Sequence, residues 1–177
     1  MVALDVARVL SMNNAENLRL ATELLIHEGR LLDQRDWSAW LALYAADAVY
    51  WVPAWRNEGE ETADPEREVS LIYHPQRVGL EERVMRVRSR LSVTTLPLPR
   101  TTHFVSNVAL VPRCGETIGA QASWMVQIYE PRTSLQRVHF GHCEVTLARV
   151  EQRWEITHKT IHLQNDCVAA VLDFYLL

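Results

Sequence analysis

Apolar residues recur every three or four positions in the first third of the chain and every second position in the latter half. Leu18, Ala21, Leu25 and Leu32 have helical spacing, and Leu24 and Leu31 widen the stripe. Asn13 and Asn14 offer caps, and Glu16 places an acid at the positive end of the dipole. The pattern predicts a helix over about Ala15 to Gln34. Asp36 offers a second cap, and Trp37, Trp40, Leu41 and Tyr44 follow at i, i+3, i+4 and i+7. This reads as a short amphipathic helix whose aromatic stripe is core and not a cofactor box. Ala48 to Trp55 reads as a strand, Asn57 to Pro65 as a solvated acidic loop, and Val69, Leu71 and Tyr73 as a short extended piece. A third helix is predicted over Gln76 to Arg88. Leu80, Val84 and Val87 form its inner stripe, and Glu82 and Arg86 are spaced as an i, i+4 pair.

After Pro97 and Pro99 the period changes to two. Thr102, Phe104, Ser106 and Val108 alternate with His103, Val105, Asn107 and Ala109. Ala122, Trp124, Val126 and Ile128 form a second alternating face. Val138, Phe140, His142 and Glu144 lead into Val145 and Leu147, and Trp154, Ile156, His158, Thr160 and His162 form the last. Turn-forming residues separate these strands, and the apolar tail Val168 to Leu177 is expected to dock. Helices followed by long strands predict an α+β fold in one domain, 1–177. Its N-terminal helices should pack into a strongly curved, mixed or antiparallel sheet. The outer face of that sheet should then carry Phe104, Trp124 and Ile156, or their alternating neighbours, as an apolar patch.

Composition narrows the function. The 177 residues are 48% apolar and 23% charged with a net charge of -4, which excludes a disordered chain and gives no electrostatic case for nucleic acid. The basic run Arg83, Arg86, Arg88, Arg90 lies beside Glu81 and Glu82 and reads as a solvated helix face or a salt-bridged protein interface. Lys159 is the only lysine. Cys114, Cys143 and Cys167 are widely spaced and read as reduced thiols in a cytoplasmic protein. No apolar run reaches the roughly 20 residues of a membrane span, and Asp5 and Arg8 make the first residues too polar for a signal-peptide core. No membrane partner is expected.

The seven histidines raise the question of a metal. A site of two histidines and a carboxylate needs three converging groups. His158 and His162, with Asp166 beyond, are four residues apart in one strand, roughly 13 Å. Hydrogen-bonded histidines in or near the core fit better. No paired Cys/His motifs for a Rieske cluster and no glycine-rich nucleotide loop occur, so no catalytic, metal or cofactor residue is assigned to this chain. If the fold encloses a cavity, Tyr44, Asp47, Tyr50, Trp124 and His162 are the candidates to line it. Asp47 is either a general base or a turn residue.

Three segments carry a family resemblance. Tyr44-Ala45-Ala46-Asp47-Ala48-Val49-Tyr50-Trp51-Val52-Pro53 resembles the helix-to-strand signature of the NTF2-like, or SnoaL-like, cone fold. Glu68-Val69-Ser70-Leu71-Ile72-Tyr73, followed by Leu80, Arg83 and Val84, resembles the small (β) subunits of aromatic ring-hydroxylating dioxygenases. So does Arg100-Thr101-Thr102-His103-Phe104-Val105-Ser106-Asn107-Val108. The resemblance runs from about Leu18 to about Leu163. His74 departs from it, where members often carry an acid.

The resemblance implies a structural, non-catalytic subunit. Its large (α) partner would hold a [2Fe-2S] Rieske cluster and a mononuclear iron, using dioxygen and NADH-derived electrons to hydroxylate an aromatic ring. It also implies self-association as a trimer within an α3β3 hexamer. The middle segment, with Arg86, Arg88 and Arg90, resembles subunits of enzymes acting on aromatic carboxylates. Two other classes share the fold. One is a free-standing isomerase, dehydratase or cyclase using a cavity acid or histidine, and the other is a non-catalytic small-ligand binding module.

Overall fold

The structure is a computed structural model that describes residues 2–89, 96–165, 168 and 172–177, with side chains from residue 13 onward. Arg90, Asp166 and Cys167, named in the sequence reading, lie outside the described residues.

Helix α1 spans Val2–Gln34, about a dozen residues longer at its start than the cap rules predict. Asn13 and Asn14 are interior helical positions. Neither glycine nor proline occurs before them, so nothing stops the helix there. Ala21, Leu25, Glu28, Gly29 and Leu32 form its buried face, while Leu18 is exposed. Helix α2, Trp37–Leu41, is capped by Asp36, whose side chain accepts from the Ala39 N–H at 3.1 Å. Tyr44 lies beyond it and opens strand β1, Tyr44–Pro53. The acidic loop contains a small hairpin of β2 (Trp55–Asn57) and β3 (Glu60–Glu61). Strand β4 is Ser70–His74 and helix α3 is Val78–Arg88, with Leu80 and Val84 buried.

The alternating half forms four long strands: β5 (Arg100–Val111), β6 (Thr117–Glu130), β7 (Leu135–Val150) and β8 (Arg153–Leu163). The main sheet has the order β4-β1-β8-β7-β6-β5. It is mixed: β1 runs parallel to β8, and every other neighbouring pair is antiparallel. Helix α1 packs across β5, inside the curve of the sheet. A bulge in β5 between Ser106 and Ala109 holds Asn107 at φ 53, a left-handed conformation that asparagine tolerates better than most side chains.

Register decides which residues face outward. Phe104 pairs with Met125, which pairs with Phe140, and this row lies on the outer face, with Phe104 45% and Phe140 48% exposed. Trp124 and Ile156 face inward and are buried, so of the three expected residues only Phe104 belongs to the outer row, which Met125 and Phe140 complete. The cause is parity: Trp124 pairs with Val105, one residue out of step with Phe104.

The tail is docked. Asp173 caps a short 3-10 turn, Phe174–Leu176, by accepting from the Phe174 N–H. Phe174 stacks on Trp40 at 4.6 Å between ring centroids and meets Trp37 edge-on at 5.3 Å. The basic run holds this tail: Arg83 and Arg86 each approach Asp173 at 3.6 Å. Arg86 therefore serves the tail and not the expected pair with Glu82. Arg88 donates to the Ser38 hydroxyl at 2.8 Å. Among the described members, the run works within the chain and is not a free basic face.

Candidate functional site: the interior of the cone

The concave side of the sheet, α1 and the docked tail enclose the interior. Its most polar feature is an ion pair between Glu28 on α1 and Lys159 on β8, both buried. Lys159 Nζ donates to Glu28 Oε1 at 2.7 Å and Oε2 at 2.6 Å. The Tyr44 hydroxyl and Trp40 Nε1 also donate to Oε1. Burial opposes the charge on Glu28, but the Lys159 ammonium and the hydrogen bonds from Lys159, Tyr44 and Trp40 outweigh it. Together they hold the carboxyl below its ordinary range. Burial, reinforced by the Glu28 charge, pushes the Tyr44 and Tyr50 phenols well above theirs. Cys143 is also buried, and its thiol is pushed up to about 11, so it is inert.

A second polar pair joins α1 to β5. Asp33 accepts from the Thr101 hydroxyl at 2.9 Å and the His103 backbone N–H at 3.0 Å, and its Oδ1 lies 2.6 Å from His103 Nδ1. This Asp–His arrangement has the geometry of an oriented base. The adjoining cavity is only about 20 Å3, lined by Leu25, Leu32, Val105, Trp124, Ile161 and Leu177 alongside the polar groups. That holds a water molecule but not an aromatic ring, for which roughly 150 Å3 is a guide.

Of the five candidate cavity residues, Tyr44, Tyr50 and Trp124 lie inside, with the two tyrosine rings 6.1 Å apart. Asp47 is exposed, in the irregular stretch of β1 between Tyr44 and Val49, away from the interior. His162 projects from the opposite face of β8, where its Nδ1 lies 2.5 Å from Glu61 Oε2 on the small hairpin. His139 is buried and contacts the Leu176 carbonyl at 2.9 Å through Nδ1. His158 pairs with Thr160. Among the described residues no group of three His, Cys, Asp or Glu side chains is placed to hold a metal ion.

The residues missed by sequence reading are Glu28, Asp33, His103 and Lys159. Two left a signal. Glu28 falls on the apolar stripe between Leu25 and Leu32, and Lys159 shares its strand parity with Ile161 and Leu163. An acid and a base, each alone on an otherwise inward face, are candidates for a buried pair.

Comparison with known proteins accounts for this architecture. A family profile described as "Ring hydroxylating beta subunit" matches residues 27–170. The small subunit of 2-halobenzoate 1,2-dioxygenase from Burkholderia cepacia is 39% identical over 151 residues, covering 85% of this chain and 90% of that protein. Subunit beta of benzoate 1,2-dioxygenase from Acinetobacter baylyi is 34% identical, covering 87% and 90%. The crystal structure of the benzoate 1,2-dioxygenase beta subunit from Burkholderia mallei superposes with a TM-score of 0.72 at 32% identity, covering 89% of this chain and 95% of that one. An NTF2-like protein from Novosphingobium aromaticivorans, 18% identical and covering 98% of each chain, shares the fold with a TM-score of 0.58. These likenesses span the interior and the sheet alike, and the chain belongs to the β-subunit family of the aromatic ring-hydroxylating dioxygenases.

Proposed function

We propose that this chain is the structural, non-catalytic β subunit of a dioxygenase that hydroxylates an aromatic carboxylate, acting as one NTF2-like domain in the cytoplasm. The observation that carries the non-catalytic reading is the filled interior. Where a cone-fold enzyme needs a substrate cavity, this chain places a buried ion pair, stacked aromatics and its own docked tail, leaving about 20 Å3 beside the ion pair. The carboxylate class is supported by relatives whose names specify 2-halobenzoate, benzoate, toluate and anthranilate. The reaction then belongs to the large subunit, which would carry the Rieske cluster and the mononuclear iron. This chain's part is to hold that assembly together. Self-association as a trimer within α3β3 is supported by the outer row Phe104, Met125 and Phe140, since an exposed apolar row on a sheet is a ready contact surface.

Co-expression with candidate large subunits, followed by native mass measurement, tests the reading. The expected result is a complex with equal numbers of the two chains, iron content accounted for by the large subunit, and benzoate-type turnover only in the complex. A stable monomer that turns over a substrate unaided would refute it.

A further inference from the structure

His103 is 93% buried by side-chain area, its exposure being 7%. Its Nδ1 faces Asp33, while its Nε2 is buried without a protein partner. Burial opposes the charge on Asp33, but the hydrogen bonds from the His103 ring and backbone and from the Thr101 hydroxyl outweigh it, so the carboxyl lies below its ordinary range. An ionised carboxylate only accepts, so Nδ1 carries the proton that faces Asp33, and Nε2 is the ring nitrogen left without a partner. The ring fits because position 29 on α1 is glycine: a Cβ there would lie 2.9 Å from His103 Cβ.

A buried ring nitrogen without a partner is unfavourable unless something hydrogen-bonds to it. His103 stands on the wall of the cavity of about 20 Å3, together with Glu28, Cys143 and Lys159. That volume exceeds the roughly 10–15 Å3 that one water needs. The Glu28–Lys159 pair on the same cavity wall has bonding capacity to spare. An ammonium has three N–H groups, and Lys159 directs two at Glu28. Glu28 Oε1 accepts from Lys159, Tyr44 and Trp40, whereas Oε2 accepts from Lys159 alone.

We propose that the cavity holds one internal water molecule that donates to His103 Nε2 and is held on its other side by the Glu28–Lys159 pair. The water joins the Asp33–His103 pair and the Glu28–Lys159 ion pair into one hydrogen-bonded network. This network runs from Thr101 through Asp33, His103, the water, Lys159 and Glu28 to Tyr44 and Trp40, tying α1 to β5, β8 and α2. The cavity is thus a water site, and His103 acts as its anchor.

Two measurements on the full chain test this. A crystal structure in which ordered waters are visible should show a single peak roughly 2.7–3.2 Å from His103 Nε2, with Lys159 Nζ or Glu28 Oε2 also in hydrogen-bond reach. Nitrogen-15 NMR should place the His103 proton on Nδ1, with Nε2 as a hydrogen-bonded acceptor. A dry cavity, a proton on Nε2, or an Nε2 bonded to protein would overturn the proposal. Val105→Ile adds one methyl group to the cavity wall without replacing a residue of either polar pair. It should abolish the peak and shift the Nε2 resonance to that of a free acceptor. An unchanged His103 spectrum in a folded variant would also overturn the proposal. Should the variant not fold, the two wild-type measurements decide the matter.

Discussion

Lys159→Met removes the cation and keeps an unbranched apolar stem, leaving Glu28 buried with only Tyr44 and Trp40 as donors. Breaking a buried pair from one side typically costs about 3–5 kcal/mol, because the remaining charge stays uncompensated. For a chain of this size that corresponds to a fall in Tm of roughly 6–20 °C. Adding Glu28→Gln removes the stranded charge while the amide oxygen still accepts from Tyr44 and Trp40. The double variant should therefore recover most of the loss and lie within about 1–2 kcal/mol of the parent.

The pH dependence separates this account from simple packing loss. In the parent the Glu28 carboxyl is depressed, so the pair's contribution is complete above the unfolded value of about 4.3 and is lost as pH falls through the folded value. In Lys159→Met burial dominates and the carboxyl rises above 4.3. The folded state then binds the proton more tightly than the unfolded state, and the penalty grows as pH rises through that window. Urea melts at pH 7 and pH 5 should show the deficit of the single variant narrowing on acidification, while the double variant shows no such change. A single-variant cost below about 1 kcal/mol, or a double variant as unstable as the single, would refute the reasoning.

Four further variants have expected outcomes. Gly141→Ala should disrupt the β7–β8 ladder, since a Cβ there would lie 1.9 Å from the His162 carbonyl oxygen. Gly29→Ala would bring a Cβ to 2.9 Å from His103 Cβ, an atom fixed to the β5 backbone, so α1 and β5 must shift apart slightly; it should cost about 1–3 kcal/mol, with denaturant melts giving the order of the two. Phe174→Ala, which empties the stack against Trp37 and Trp40, should cost about 3–5 kcal/mol by the same assay, whereas an undocked tail would give almost none. Phe140→Asp, on the exposed row, should leave the melt of the dissociated subunit nearly unchanged but shift light scattering of the assembled protein toward smaller species; unchanged assembly would remove that row from the interface.

Much of this protein was legible along the chain because local periodicity is a local property. The helix-to-strand switch near Pro97, the Asp36 cap, the four long strands and the docking tail each follow from spacing, caps and turn residues within a few positions. The segments around Tyr44 to Pro53 and Arg100 to Val108 were also distinctive enough to carry the family. The extent of α1 was not readable from its stripe, because Asn13 and Asn14 favour a cap but do not prevent a helix.

The interior depended on pairing between distant parts of the chain. Glu28 and Lys159 are 131 residues apart, Asp33 and His103 are 70 apart, and Glu61 and His162 are 101 apart. Alternation within a strand separates two faces without saying which one turns inward. That choice placed Trp124 in the core, Phe104 in solvent and His162 against the small hairpin. It is set by strand register and by the side on which α1 and the tail pack, since shifting a strand by one residue exchanges its two faces. Asp47 shows the same limit: an acid beside an aromatic helix suggests a cavity base, but the irregular stretch of β1 turns that position to the surface. The sequence alone therefore determined the elements and the family, whereas the closed and polar-paired interior was decided by the tertiary structure, because it depends on contacts between residues far apart in the chain.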